Sequence, residues 1–170
     1  MGDLINSRIL NHFSPNHRHA ISDAFGDYFM ACPTVLFGEY AHRHLPSNKF
    51  YSYRLMFAPT NIMTIAKCTG WMGVCHGTDI YFMFGQMLKN PNKFTKAEVE
   101  ISRDMVNAWT SFASTGTIGK MSNTDWNVSF DSKNPNPYVQ YMSLDPNNYK
   151  MSSNYYKEVC EIFLKPMIMR

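Results

Sequence analysis

A single histidine placed between two glycines constrains this chain more than any other feature of its sequence. His76 lies in the segment WMGVCHG, flanked by Gly73 and Gly77, and an aromatic, helix-like run follows at 79–84. Small flanking residues on a loop leave an imidazole able to swing into a pocket, which is the placement that a general base needs. We therefore predict that His76 is a catalytic residue, although its partners are not evident elsewhere in the 170 residues.

An aromatic strand ahead of this loop restricts the fold. The segment 49–57, KFYSYRLMF, is the best strand of the sequence, because aromatic residues favour strands. Its apolar character predicts burial on both faces, as in an inner strand of a larger sheet. Segment 139–144 predicts a second, short strand. Two strands do not form a stable sheet alone, so we expect the neighbours of the aromatic strand to lie outside this chain.

Helical patterns account for most of the other ordered segments. Ser14-Pro15 predicts a helix start, and this helix is expected to run to about residue 25 and to end at Gly26. A second helix is predicted for 27–44 and a last one for 153–164. The sequence TKAE at 95–98 is a capping box. The amphipathic helix that it opens is expected to end at Gly116. Segments 58–75 and 117–138 are predicted to be loops.

Composition excludes several classes of function. Apolar residues make up 45% and charged residues 17%, which predicts a packed chain, and the length suits one domain. The net charge of +3 is scattered along the sequence, so no basic stripe indicates nucleic-acid binding. No apolar run is long enough to cross a bilayer, and no signal peptide is visible at the N-terminus.

The four cysteines and one sequon weakly favour a secretory environment for this chain. Cys32, Cys68, Cys75 and Cys160 allow three pairings if both disulfides form. Cys68 and Cys75 could bridge a small loop or remain thiols, and Cys75 beside His76 is a poor candidate for a nucleophile because neighbouring side chains diverge. Asn127 begins the sequon Asn-Val-Ser, a candidate glycosylation site.

The remaining patterns give no cofactor or metal site. The pairs His17/His19 and His42/His44 would point in different directions on a helix, and no cysteine or carboxylate lies at ligand spacing, so surface histidines are the preferred interpretation. We therefore predict no metal and no cofactor. The sequence contains neither a phosphate-binding glycine loop nor a G-x-S-x-G elbow.

Taken together, these segments resemble type-B carboxylesterases, and the cholinesterase branch in particular. A histidine loop after a late strand is the α/β-hydrolase arrangement, in which the chain order is nucleophile, acid, histidine. The resemblance covers about residues 9–164. It rests on the histidine loop 71–77 and on segments 23–33, 50–53, 94–98, 109–116 and 141–144, together with Trp126, Cys160 and Phe163.

The resemblance implies a fold and several roles. The expected fold class is α/β, the C-terminal part of an α/β-hydrolase fold with the last core strand, the histidine loop, flanking helices and an incomplete sheet, so that 1–170 form a partial domain. His76 would be the general base of a Ser–acid–His triad. Cys32 and Cys160 match a family disulfide, and Asp79 matches an acidic position that holds the loop. The implied pocket residues are Trp71, Met72, Cys75 and Thr78.

Two departures weaken the resemblance to choline-specific members. In the cholinesterase branch an aromatic residue usually follows His-Gly, and a tryptophan precedes Trp-Met-Gly by a few residues. Thr78 and Cys68 stand at these positions. Aromatic faces bind quaternary ammonium groups, so their loss favours a broader ester substrate.

The family's nucleophile, oxyanion-hole glycines and triad acid are not found in this sequence. Asp27 and Glu39 are weak candidates for a replacement acid. We expect negligible ester hydrolysis by the chain alone, because a histidine without a nucleophile offers no acyl-enzyme route. We also expect poor solubility, because strand 49–57 would expose unpaired edges and apolar faces. The expected parent is a secreted, extracellular or membrane-associated esterase that acts on a small ester. A homo-oligomer is compatible with this expectation for the full-length protein. The alternative is part of a non-catalytic, cholinesterase-like adhesion or binding protein.

Overall fold

The computed structural model describes residues 17–60, 68, 72–130, 140–153 and 160–161. These fall into two compact units. The described residues of 47–153 form one unit, and those of 1–46 and 154–170 form the other.

The unit of residues 47–153 has one strand, then three helices, then four strands. Its helices are α3 (Thr78–Met83), α4 (Gln86–Lys89) and α5 (Lys96–Thr115), with a 3-10 turn at Pro91–Lys93. Its strands are β1 (Tyr53–Leu55), β2 (Lys120–Met121), β3 (Thr124–Asp125), β4 (Gln140–Leu144) and β5 (Lys150–Ser153). In the described residues the chain is therefore of mixed α and β composition, as predicted.

The aromatic strand has a neighbour within the chain. β1 pairs in parallel with β4, with Tyr53 opposite Met142 and Leu55 opposite Leu144, and β5 pairs antiparallel with β4. The expectation that all of its neighbours lie outside this chain is therefore wrong for the neighbour on this side of β1. The pairing joins segments far apart in sequence, and parallel strands need a long crossover, so local pattern could not reveal it.

The strand predictions need three further corrections. β1 is shorter than 49–57, although backbone bonds at Ser52 and Met56 continue its pairing with β4, and its three residues are half-buried rather than buried on both faces. β5 was not predicted, and its residues include Ser153, which was expected to begin the last helix. β2 and β3 form a hairpin inside the predicted loop 117–138.

A core between helix α5 and the sheet stabilises this unit. The Ser102 hydroxyl is buried and donates to the Phe82 carbonyl over 2.9 Å, which joins α5 to α3. Gly85 has a φ of 66° and lies where a Cβ would be 3.3 Å from the Val106 side chain, so glycine allows α3 to end close against α5. The buried apolar residues of this cluster are Phe82, Met87, Ile101, Met105, Ala108, Met121, Trp126, Met142 and Leu144.

The start and end of α5 confirm the sequence prediction. Thr95 accepts from the Glu98 amide over 3.2 Å, and the Glu98 carboxylate accepts from the Thr95 amide over 2.7 Å. The same buried carboxylate accepts from the Thr60 amide over 2.8 Å. Gly116 ends the helix in the left-handed region, with a φ of 70°. The Glu98 carboxylate of the capping box therefore also fixes the backbone at Thr60, in the segment that follows β1.

The other unit is helical where it is described. α1 (His17–Gly26) continues through a π-helical segment (Asp27–Ala31) into α2 (Cys32–His44). Gly26 does not end a helix as predicted, because its φ of −61° and ψ of −43° are helical and the chain simply continues. Cys160 and Glu161 are also helical. A disulfide joins Cys32 to Cys160 across 128 residues of sequence.

Several predicted features lie outside the described residues. These are the helix start at Ser14-Pro15, most of the loop 58–75, residue 139, and the last helix apart from residues 153 and 160–161. Among the helices that the structure describes, none combines the length and the apolar character needed to cross a membrane.

Candidate active site

A tight turn carries His76. The Thr78 amide donates to the Cys75 carbonyl over 3.2 Å, which makes His76 and Gly77 the two central residues of the turn. Gly77 has a φ of 78° and a ψ of 1°, the values of the third residue of a type II turn, where glycine is favoured. The His76 side chain is exposed. In the part of the chain that the structure describes, its ring has no hydrogen-bond partner.

Thr78 closes the turn a second time. Its hydroxyl donates to the Cys75 carbonyl over 2.7 Å, and the residue is only 2% exposed. Burial shields this hydrogen bond from water, which strengthens it. Because Thr78 begins α3, the helix and the histidine turn share one fixed junction. The hydroxyl therefore points back at the loop backbone.

A short disulfide holds the other side of the turn. Cys75 is bonded to Cys68, seven residues earlier in the sequence. Cys68 is 6% exposed, whereas Cys75 is half-buried. Since Cys75 has no thiol, it does not act as a nucleophile beside His76 in this state. The sequence had left the bridged and thiol forms open, and the structure contains the bridged form.

Asp79 connects the helix after the turn to the sheet. The Tyr53 hydroxyl on β1 donates to Asp79 Oδ2 over 2.5 Å. Burial raises the pKa of Tyr53 above its usual range, and the hydrogen bond and charge of Asp79 raise it further. Tyr53 therefore stays a protonated donor across the physiological range. Trp109 packs edge-on against the same tyrosine ring, with centroids 5.0 Å apart, and holds it in place.

The other predicted site residues are placed as follows. Trp71 lies outside the described residues. Met72 is 42% exposed, so its apolar side chain is accessible near the turn. Asn127 is exposed, while Ser129 of the same sequon is buried. The pocket and glycosylation roles of these residues stay predictions.

The weaker candidates from the sequence belong to the helical unit and not to the unit of residues 47–153 that contains His76. His44 Nδ1 lies 2.8 Å from the Tyr40 carbonyl, and its ring stacks on Tyr40. Glu39 pairs with Arg43 over 3.5 Å. Asp27 begins the π-helical segment. Within the described ranges, no group of three or more histidine, cysteine or acidic residues could hold a metal ion.

Two supporting residues were missed by the sequence analysis. Tyr53 was assigned only to the aromatic strand, and Thr78 was treated only as a substitute for an aromatic residue. A weak signal existed for Thr78, because threonine at a turn or at the start of a helix often bonds to nearby backbone groups. Nothing local indicated the bond from Tyr53 to Asp79, which spans 26 residues.

Comparison with known proteins identifies the family. A profile of the carboxylesterase family matches residues 4–163. Acetylcholinesterase from Bungarus fasciatus is 38% identical over 101 residues, which cover 59% of this chain and 16% of that protein. Acetylcholinesterase-1 from Trittame loki is 25% identical over 146 residues, covering 86% of this chain and 24% of that protein. Cholinesterase from Mus musculus is 29% identical over 151 residues, covering 86% and 23%.

The family match covers most of the sequence, so the chain belongs to the carboxylesterase family. The family implies an α/β-hydrolase fold, and the small mixed sheet with its helices is consistent with part of one. The chain spans a quarter or less of the length of these relatives, from 16% to 24%.

Proposed function

We propose that this chain supplies the catalytic histidine of a serine carboxylic-ester hydrolase. One observation carries the proposal. The exposed imidazole of His76 stands at the tip of a turn that two hydrogen bonds, a disulfide and a left-handed glycine define, in a chain of the carboxylesterase family. A general base needs this combination of a fixed backbone and an accessible ring.

In the proposed reaction, His76 moves protons between serine and substrate. Its imidazole accepts the proton of a serine hydroxyl as that oxygen attacks the ester carbonyl, and then donates this proton to the departing alcohol. In the second half, it accepts a proton from water, which attacks the acyl-serine, and returns the proton to the serine oxygen. An acid bonded to the other ring nitrogen would hold the imidazole in the correct tautomer.

We assign the serine and the acid to the remaining parts of a carboxylesterase domain. The relatives are several times longer than this chain, which supports such an assembly. Glu39, one of the weak internal candidates for the acid, pairs with Arg43. We therefore expect the 170-residue chain to hydrolyse esters negligibly without those parts.

The expected substrate is a small carboxylic ester, with no strict requirement for choline. Thr78 replaces an aromatic residue and directs its hydroxyl to the Cys75 carbonyl. Cys68 replaces a tryptophan and is bonded to Cys75. Neither offers an aromatic face to a quaternary ammonium group. Trp71 and Met72 remain the proposed apolar contacts for the acyl or alcohol group.

The two disulfides support an oxidising compartment for the parent protein. The exposed Asn127 is compatible with a glycan. We therefore propose a secreted, extracellular or membrane-associated glycoprotein, with a homo-oligomer as a compatible assembly.

A non-catalytic binding protein is the second candidate function. It is favoured by the apolar surface of helices α1 and α2, where Ile21, Phe25 and Phe37 are each more than 60% exposed, at 68%, 64% and 71%. Ile21 and Phe25 are four residues apart in α1 and so share one face of that helix, and an exposed apolar face of this kind can mark an interaction site. A binding protein would not need a serine nucleophile opposite His76.

The deciding experiment uses a chimera in which residues 4–163 replace the matching segment of Bungarus fasciatus acetylcholinesterase. Hydrolysis of p-nitrophenyl acetate and labelling by a fluorophosphonate probe are measured together. We expect both in the parent chimera and a loss of at least about a thousandfold in kcat/KM for His76→Ala. His44→Ala, which removes another exposed imidazole, is the matched control. Equal turnover in both variants would exclude the proposed role of His76.

A further inference from the structure

The Cys68–Cys75 disulfide has no role in the proposed proton transfers, yet it ends one residue before His76. We propose that this disulfide is a positioning element for His76, and that its reduction by a dithiol releases the turn and slows ester hydrolysis. The effect on hydrolysis rests on the proposed function. The effect on the turn does not.

The Cys75 carbonyl is the acceptor on which the turn depends. It accepts from the amide of Thr78 over 3.2 Å and from the hydroxyl of the same residue over 2.7 Å. The direction of this carbonyl follows from the backbone angles of Cys75. The disulfide restricts those angles by tying the Cys75 side chain to Cys68, which is itself buried.

The imidazole depends on this backbone because nothing else described holds it. The ring is exposed and has no hydrogen-bond partner within the described ranges. Catalytic groups must be held within about 0.5 Å of their productive position. A turn that loses its covalent tie would spread the ring over a wider range, even if the unit keeps its fold.

The two disulfides differ in their accessibility to a reductant. Cys32 and Cys160 are each only 1% exposed, whereas Cys75 is half-buried. Thiol–disulfide exchange requires a thiolate to reach a sulfur atom. A dithiol should therefore reduce Cys68–Cys75 first and leave Cys32–Cys160 intact.

The exchange balances as a two-electron transfer. A thiolate of the dithiol attacks Cys75 Sγ, the bond to Cys68 Sγ breaks, and Cys68 leaves as a thiolate that takes up a proton. The second thiolate of the reagent then closes a ring with the first sulfur and releases Cys75, which is also protonated. The protein gains two electrons and two protons, and the dithiol becomes a cyclic disulfide. The Gly73 carbonyl, 3.7 Å from Cys68 Sγ, could accept from the new thiol.

The first test uses the 170-residue chain and needs no esterase activity. Dithiothreitol is titrated under native conditions, new thiols are alkylated, and hydrogen exchange is followed residue by residue. We expect alkylation of Cys68 and Cys75 before the other pair. The Ile80 amide donates to the Gly77 carbonyl over 3.3 Å, and its exchange and that of the Thr78 amide should become at least about tenfold faster. The Val99 amide, which bonds to Thr95 in α5, is the internal control and should not change. Unchanged exchange at Thr78 and Ile80 after reduction would overturn the proposal.

The second test measures turnover in the chimera described above. Cys68→Ser/Cys75→Ser should lower kcat about tenfold with little change in KM, because a misplaced base slows the chemical step rather than binding, and dithiothreitol should lower wild-type kcat to the same level. The double variant should no longer respond to the dithiol, which separates this disulfide from other reducible groups. A double variant with wild-type kcat contradicts the proposal. A wild-type chimera without turnover contradicts the proposed function instead, and the exchange test then decides on positioning alone.

Discussion

The two units of this chain achieve order by different means. Residues 47–153 bury a continuous cluster around Phe82, Ile101 and Met105, each fully inaccessible to solvent. The described helical residues of the other unit bury only Ala20, Cys32, Ala41 and Cys160 among their apolar side chains. Large apolar side chains are instead exposed along the helices, namely Ile21, Phe25, Tyr28, Phe29, Met30, Phe37 and Tyr40.

This difference indicates where the histidine turn obtains its support. The turn belongs to the unit with the packed core, and Thr78, Asp79 and the Cys68–Cys75 disulfide connect it to that unit. The described residues of the helical unit bury few apolar side chains, so we expect this unit to rely on Cys32–Cys160. Four comparisons of matched variants test this contrast, in order of decreasing effect.

Removing the long disulfide should have the largest effect. The double variant Cys32→Ser/Cys160→Ser opens a ring of 128 residues, which predicts a loss of about 4–5 kcal/mol in the free energy of unfolding. The Cys68→Ser/Cys75→Ser control opens a far shorter ring and should lose about 2 kcal/mol. Urea unfolding followed by circular dichroism measures both. If the two losses are equal, the helical unit does not rely on its disulfide as stated.

A cavity in the core of residues 47–153 should cause the second-largest loss in the free energy of unfolding. Met105→Ala removes a fully buried side chain and should cost about 2–5 kcal/mol in the free energy of unfolding. Asn107→Ala, at an exposed position of the same helix, should stay within about 0.5 kcal/mol of the wild type. Chemical unfolding of both variants provides the measurement. A small effect at Met105 would mean that this unit lacks the packing that distinguishes it.

A glycine in each unit gives a matched pair. Gly77→Ala forces a left-handed conformation on alanine in the histidine turn and should cost about 1–2 kcal/mol. Gly26→Ala introduces a methyl group into open space within a helix and should stabilise by about 0.5–1 kcal/mol. Thermal unfolding of the two variants should therefore shift in opposite directions. Shifts of the same sign would contradict the backbone assignment of one position.

The smallest expected effect is a loss of stability at alkaline pH. Burial, followed by the charge of Asp104 and the hydrogen bond to it, raises the pKa of Tyr149 above its usual range, and the pKa of Tyr53 is raised as well. Above about pH 10 the unfolded chain loses these protons more readily than the folded protein. The contribution of these two tyrosines to stability is therefore constant below that pH and falls as pH rises beyond it.

Tyr149→Phe should flatten this alkaline decline, because the 2.9 Å bond to Asp104 is then absent at every pH. Tyr28→Phe changes an exposed tyrosine of the helical unit and serves as the control. Melting temperatures between pH 8 and 11 provide the comparison, with ranges chosen around the ordinary tyrosine pKa of about 10. An unchanged decline in Tyr149→Phe would show that other groups govern it.

Local sequence predicted the features whose causes are local. The capping box from Thr95 to Glu98 and the cap at Gly116 were read correctly because each depends on residues within one turn. Gly26 was misread because a glycine inside a continuous helix carries the same local signal as one at its end. The parallel pairing of β1 with β4, the strand β5 and the bond from Tyr53 to Asp79 depend on tertiary contacts. Sequence patterning has no access to such contacts.

The candidate site was predictable to a similar degree. His76 and its glycines were found from the pattern, and the family resemblance is confirmed by the match over residues 4–163. The roles of Thr78 and the Cys68–Cys75 disulfide emerged only from the geometry of the turn. The catalytic role of His76 stays a prediction.

Ester turnover by matched proteins tests that role most directly. The 170-residue chain, the chimera and its His76→Ala variant are compared on p-nitrophenyl acetate. We predict turnover by the chimera alone, with the isolated chain at the background rate and His76→Ala reduced at least about a thousandfold. Turnover by the isolated chain, or full activity in His76→Ala, would contradict the proposal that this chain contributes one histidine to a triad completed elsewhere.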